Sequence, residues 1–345
     1  MDYIINDLIG DDSSATPSNP ATPYKTIGKF LSVMSAGDRA LLTSNFTLSG
    51  ALSFPTFTDN TKPSWIVGAN ASGVVDGTVR TISGAGSVAN FGTFSAASYP
   101  WNVQCIKLYD FTDYLITSPT ATTTVNFFNC IIDTCKGLFS TTYFRNMLLE
   151  DCEFVNCSAG TGYVAQVYGG SLKRCKFINC ASTTGYIISG STGGATIIDC
   201  IFKGCTTTTG YLIAGGIFLR NVIIDNCSQS TSTTNGFIGI LAGGTVRNAL
   251  ITNCAGQNNA SSAIIKFIGN SSSNIIDNVA FWNNTLWVAQ LVCVATSSYL
   301  KTNFPIDLTE SPYSDTDLLT LKSTYSWRRN PLKIGEFNNI YSSAV

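Results

Sequence analysis

The chain contains no histidine. That removes the commonest general acid–base and the commonest metal ligand, although a pair of carboxylates could still cleave a glycosidic bond without one. Charged residues make up only 12% of the 345, and the net charge is −1. No basic stripe of the kind that grips nucleic acid is present. No apolar run reaches the roughly 18–20 residues that a membrane span needs. The opening residues, Met1-Asp2-Tyr3-Ile4-Ile5-Asn6-Asp7, lack the basic start and apolar core of a secretory leader. The expected setting is therefore a reducing cytoplasm, without membrane insertion and without nucleic acid. Serine is abundant, but no Gly-x-Ser-x-Gly elbow marks a nucleophile.

Cysteine is plentiful, with 12 residues, and its spacing is regular. Cys130-Ile-Ile-Asp-Thr-Cys135 is followed by Cys152-Glu-Phe-Val-Asn-Cys157, Cys175-Lys-Phe-Ile-Asn-Cys180 and Cys200-Ile-Phe-Lys-Gly-Cys205. Two further copies, ending at Cys227 and Cys254, keep only the second cysteine. The second cysteines are 22, 23, 25, 22 and 27 residues apart. Such a period marks a solenoid, whose turns bury their apolar faces only against one another. Three residues before the first cysteine position stand Leu149, Leu172, Ile197, Leu219 and Val246. Two residues after it stand Phe154, Phe177, Phe202, Ile224 and Ile251. Both columns are apolar in every copy and are expected to point inward. The runs are short and rich in β-branched residues, which reads as strand.

Cys-x4-Cys is not the Cys-x2-Cys of zinc modules, and free cysteine is among the most buried residue types. The expectation is a ladder of reduced thiols in the core, with no disulfides, metal or cofactor. After each second cysteine comes a small polar turn, then an aromatic (Tyr163, Tyr186, Tyr211, Phe237) opening another apolar run, then a glycine pair such as Gly215-Gly216. Three strands per coil, with like residues stacked on like, resembles the right-handed parallel β-helix of pectate-lyase-like proteins and phage tailspikes.

The resemblance implies an all-β right-handed solenoid of about ten to twelve coils at the usual strand spacing. Residues 1–39 read as an N-terminal loop and capping helix, in which Ile27, Phe30, Leu31 and Met34 share one face. Residues 40–296 read as the helix proper. Residues 297–345 read as an irregular cap or tail that could carry subunit contacts, with a short helix expected over 315–322.

Chemistry has few candidates. Glu150-Asp151-x-Glu153 aligns one coil away from Lys173, Arg174 and Lys176. That favours charge pairing between strands, about 0.2–1 kcal/mol per pair, over catalysis. Asp110 and Asp113, set among Tyr109, Phe111 and Tyr114, are the alternative catalytic pair; an exposed turn explains them more simply. Trp101, Trp282, Trp287 and Trp327 are candidate contacts for a glycan or a protein partner. The Asn column (Asn156, Asn179, Asn226, Asn253) is expected to bond backbone and its own neighbours at a bend.

The resemblance implies a non-catalytic structural protein of a phage virion, either capsid decoration or a tail fibre or spike component. It implies a homotrimer, contacts with other virion proteins and a host surface glycan as further partner. The alternatives are a glycan-degrading lyase or hydrolase and a glycan-binding adhesin, because fold alone does not fix function.

Overall fold

The computed structural model describes residues 1–57, 59, 61–94, 100–117, 124–138, 147–190, 194–231, 237–241, 244–256, 263–267, 274–282, 284, 290–293 and 300–303. The protein is an all-β parallel solenoid with very little helix. It divides into two compact units: residues 1–159 with 163–166, and residues 160–162 with 167–345.

In the first unit, sheet one holds two parallel ladders. One joins Asp2–Ile5, Arg39–Leu42, Ser64–Gly68, Trp101–Gln104, Val125–Phe128 and Leu148–Glu150. The other joins Phe46–Thr47, Arg80–Ser83, Ile106–Tyr109, Ile131–Asp133 and Glu153–Val155. Sheet two stacks Leu52–Phe54, Gly92–Phe94 and Ile116–Thr117. The expected inward columns are inward: Phe127 pairs with Leu149 and Ile132 with Phe154, and all four are fully buried.

The amino end differs from its sequence reading. What read as loop begins with a strand, Asp2–Ile5, in register with Arg39–Leu42. The apolar run Tyr3-Ile4-Ile5 is buried there, which its polar surroundings concealed. The expected helix stands at Ile27–Val33 and buries Ile27, Phe30 and Leu31. The Thr26 hydroxyl accepts the Lys29 N–H at 3.0 Å and caps it. Phe30 meets Tyr3 edge-on at 5.2 Å, so the helix packs on the first strand.

In the second unit, sheet one runs through Ser171–Lys173, Ala195–Ile198, Ile217–Asp225, Thr245–Thr252, Asn274–Trp282 and Leu300–Asn303. Lys176–Ile178 and Ile201–Lys203 lead into the second half of Ile217–Asp225. Sheet two stacks Tyr186–Gly190, Ile213–Gly215, Ile238–Ile240, Ala263–Phe267 and Gln290–Cys293. A third, narrow sheet joins Ala181–Ser182, Thr206–Thr207 and Ser228–Gln229. The Phe177 and Phe202 rings lie parallel at 4.9 Å and fully buried. Leu300–Asn303 carries the ladder past residue 296, where the apolar repeat stops. Parallel pairing needs only backbone N–H and C=O groups, so the side-chain pattern marks the end too early.

The solenoid has about eight turns, slightly fewer than the ten to twelve expected. The early turns are long. Asp2 pairs with Arg39 across a loop and the helix, and Ser64 with Trp101 across two further strands and their loops, so these turns take up more chain than the regular repeat does.

Each regular turn bends twice within sheet one, and each bend is a single residue in the left-handed region. One column of bends is Cys105, Asn129 and Asp151 in the first unit, and Arg174, Asp199, Asn221 and Asn248 in the second. The other is Asp110, Thr134 and Asn156, then Asn179, Gly204, Asn226 and Asn253. Their φ angles lie between 50° and 63°. Asn, Asp and Gly tolerate this conformation best, which is why they dominate both columns.

A cysteine follows most of these bends. The Cys152 thiol donates to the carbonyls of Glu150 and Phe127, each at 3.4 Å; Cys227 donates to those of Asp225 and Phe202 at 3.4 and 3.6 Å. Both thiols thus bond one carbonyl before their own bend and one in the preceding turn. The eleven described cysteine side chains are all buried, and none is in a disulfide. Burial pushes the Cys135 thiol up to about 12 and holds Cys200 well above the ordinary thiol value.

Candidate functional site

Asp110 and Asp113 flank the bend that leaves the Ile106–Tyr109 strand. Asp110 is itself the left-handed residue, at φ 59°, and its N–H bonds the Asp133 carbonyl at 3.1 Å. Its carbonyl accepts the Gly86 N–H at 3.0 Å. Gly86 sits at φ +64°, and a Cβ there would come within 3.4 Å of the Asp110 carboxylate. Asp113 Oδ1 accepts the Tyr114 N–H at 2.9 Å and pairs with Lys136 Nζ at 3.0 Å. Lys136 also lies over the Tyr114 ring. The Tyr114 hydroxyl donates to the Ala159 carbonyl. The Asp113 carboxylate is thus engaged in its turn, whereas at Asp110 it is the backbone that builds the bend.

Trp101 is not a surface contact. It is 1% exposed, and its ring packs edge-on against Phe54 at 4.8 Å and Phe94 at 6.2 Å. It opens a strand with Val103 on the same inward face, so period-2 geometry sends the indole into the core. A fully buried ring cannot stack on a sugar, which corrects that expectation. Trp282 ends the Asn274–Trp282 strand, in register with Thr252. Trp287 and Trp327 lie outside the described residues, as does the helix expected over 315–322.

The acidic group Glu150, Asp151 and Glu153 lies in the first unit, on two strand ends and the bend between them. Its expected partners Lys173, Arg174 and Lys176 belong to the second unit. Within units, charges do pair across turns. Lys107 meets Asp133 at 2.7 Å and leans over Tyr109. Arg39 makes two bonds to Asp2, each at 2.7 Å. The Asn side chains also link across turns: Asn248 donates to Asn221 at 3.1 Å, and Asn221 to Asp199 at 2.8 Å. That column precedes the first cysteine, and the sequence reading picked only the other one. Among the described residues, no group of three or more metal-ligating side chains converges.

Two surface features escaped the sequence reading. On the outer face of sheet one in the second unit, Phe218 is 49% exposed and Arg220, on the same strand face, is exposed beside it. Arg220 stands directly opposite Arg247 on the next strand. On the first unit, Leu8 and Ile9 are 83% and 69% exposed, and Val74 is 55% exposed, beside Val75 and Val79. Phe218 faces out by strand register, and the other five lie in loops.

No protein-family profile matches the chain, and no curated protein matches it. Solved structures do. An ORF18 protein of Geobacillus virus E2 is 12% identical over 86% of this chain, with a TM-score of 0.45. This chain spans 61% of that protein's length. A mannuronic-acid-specific family 6 polysaccharide lyase from the human gut microbiota is 11% identical over 99% of this chain and 94% of its own, with a TM-score of 0.43. A rhamnogalacturonan lyase is 15% identical over 91% of this chain and 89% of its own, with a TM-score of 0.37.

Proposed function

We propose that the chain is a non-catalytic structural protein of a bacteriophage virion, carried as capsid decoration or as part of a tail fibre or spike. The observation that carries this reading is the set of eleven described cysteines, all buried and none in a disulfide. Thiols stay free in a protein that folds in a reducing compartment, as a virion protein does in its host's cytoplasm, whereas secreted chains of this cysteine content are oxidised. In this reading the two cysteine columns form a reduced ladder through the core. A second support is the use made of one candidate carboxylate: Asp113 pairs with Lys136. The protein assembles as a homotrimer beside other virion proteins, and a host surface glycan is a further partner.

The test is quantitative mass spectrometry of purified particles from the source. Hundreds of copies per particle identify capsid decoration, and a few trimers' worth identify a tail component. Absence from particles overturns the reading and moves a glycan-active enzyme or adhesin to first place.

A further inference from the structure

The charge of the chain is divided unevenly between its units. The first holds 13 acidic and 8 basic residues, and the second 8 acidic and 12 basic. A net charge of −1 therefore hides one acidic and one basic body.

Each body also carries an exposed apolar feature edged by its own sign of charge. In the second unit, Phe218 projects from the outer face of sheet one, with exposed Arg220 and Arg247 on the same face. Arg220 and Arg247 are direct neighbours across two strands, an arrangement that costs stability unless an anion meets it. Asp277 lies 3.9 Å from Arg247, at the limit of an ion pair, with both side chains more than 40% exposed.

In the first unit, two loops leave the same corner of three neighbouring strands, where Ile5, Leu42 and Gly68 stand in register. One loop carries Leu8 and Ile9, followed by Asp11. The other carries Val74 and Val75, followed by Asp76. The second loop folds back on the first strand, because a Cβ on Gly73 would come within 3.1 Å of Ile4. The Asp76 carboxylate accepts the Thr78 N–H, the Thr78 hydroxyl and Asn70 Nδ2 at 2.6–2.9 Å. Those bonds hold its carboxyl below the usual range, so it stays charged.

We infer that the acidic, apolar corner of one molecule docks on the Phe218–Arg220–Arg247 face of a second copy. The partner is chosen by complementarity: each chain carries both halves, an aromatic with two guanidiniums and an aliphatic cluster with carboxylates. Arginine and aromatic side chains dominate contacts of this kind. The contact joins two different patches, so it is head-to-tail, and it forms rings if the rotation closes and open chains if it does not. It stands apart from the homotrimer proposed above, since it concerns growth from whichever unit, chain or trimer, exists in solution.

The test is sedimentation velocity of the full chain across a concentration series, at about 0.05 M and about 0.5 M salt, which shortens the screening length about threefold. The expected result is concentration-dependent growth at low salt that high salt reverses. Arg220→Glu with Arg247→Glu should abolish it, and so should Asp11→Lys with Asp76→Lys. Arg220 and Arg247 are exposed on a strand face, so circular dichroism and melting of that variant should match the parent; Asp11 and Asp76 also accept bonds within their own loops, so the corner reversal should melt somewhat lower while keeping the parent's circular dichroism. Mixing the two variants should restore growth with the two alternating one to one, because the reversed face of one fits the reversed corner of the other and their unaltered corner and face still fit each other. A chain that stays monomeric at every concentration overturns the inference, as does growth that both reversals leave unchanged. A salt-insensitive trimer that grows no further upholds the homotrimer and overturns this contact.

Discussion

Asn284 replaces a cysteine by doing the cysteine's work against Cys254. Its Oδ1 accepts the Cys254 N–H at 2.9 Å, and its Nδ2 donates to the Ile251 carbonyl at 2.8 Å. One turn earlier the Cys254 thiol makes the equivalent bond to the Ile224 carbonyl at 3.7 Å. The column therefore selects a small buried donor after each bend, and sulfur is one solution among several.

Removing that donor should be costly. Asn284 is 2% exposed, so Asn284→Ala strands the Cys254 N–H and the Ile251 carbonyl away from water. A loss of about 1–3 kcal/mol is expected for each group left unpaired. Denaturant unfolding at neutral pH measures it, with Asn284→Ser as the partial rescue. An Asn284→Ala variant as stable as the parent would mean that the bond does not carry the column.

The stacked phenylalanines set the scale of the core. Phe177 packs flat on Phe202, and both are fully buried. Phe177→Ala should cost about 3–5 kcal/mol in the same unfolding assay. Phe218→Ala, on the opposite face of the same sheet and 49% exposed, should change stability by no more than about 0.5 kcal/mol. Equal costs would contradict the register that separates the two faces.

The thiols should be counted in two states. The native protein should react with almost no thiol reagent at pH 8, because the described cysteines are buried and Cys135 is pushed up to about 12. After unfolding without reductant, close to 12 thiols should react. A count near zero would mean disulfides, and would remove the main support for folding in a reducing compartment.

These columns explain what was legible beforehand. The 22–27-residue spacing of Cys157, Cys180, Cys205, Cys227 and Cys254 gives the solenoid and its inward positions, because a stacked core forces like residues into like places. The amino-terminal strand was hidden, since Asp2–Ile5 has no cysteine and its partner lies 37 residues away, across a loop and a helix. Trp101 was misread for a related reason. Aromatic residues mark both cores and contact sites, and only its place beside Val103 on one strand decides between them. The Phe218–Arg220–Arg247 face could not be read from composition, because it arises from strand register between residues 27 positions apart.

The bends yield the last prediction. Thr134 sits at φ 54°, where its turn-by-turn equivalents are Asp110 and Asn156 in the same unit. A β-branched residue pays most for the left-handed region, in which Cβ crowds the following carbonyl at a cost of about 1–2 kcal/mol. Asparagine tolerates that conformation, and the Asn156 bend accepts one without rearrangement. Thr134→Asn gives up the 2.9 Å hydroxyl bond to Asp133, whose carboxylate keeps its 2.7 Å pair with Lys107. The bond is exposed and worth little, so strain relief should win and the variant should be more stable by about 0.5–1 kcal/mol. The reverse change, Asn156→Thr, should destabilise by a similar amount in the same assay. If both substitutions are neutral, the asparagines of the column are kept for their side-chain bonds and the backbone argument fails.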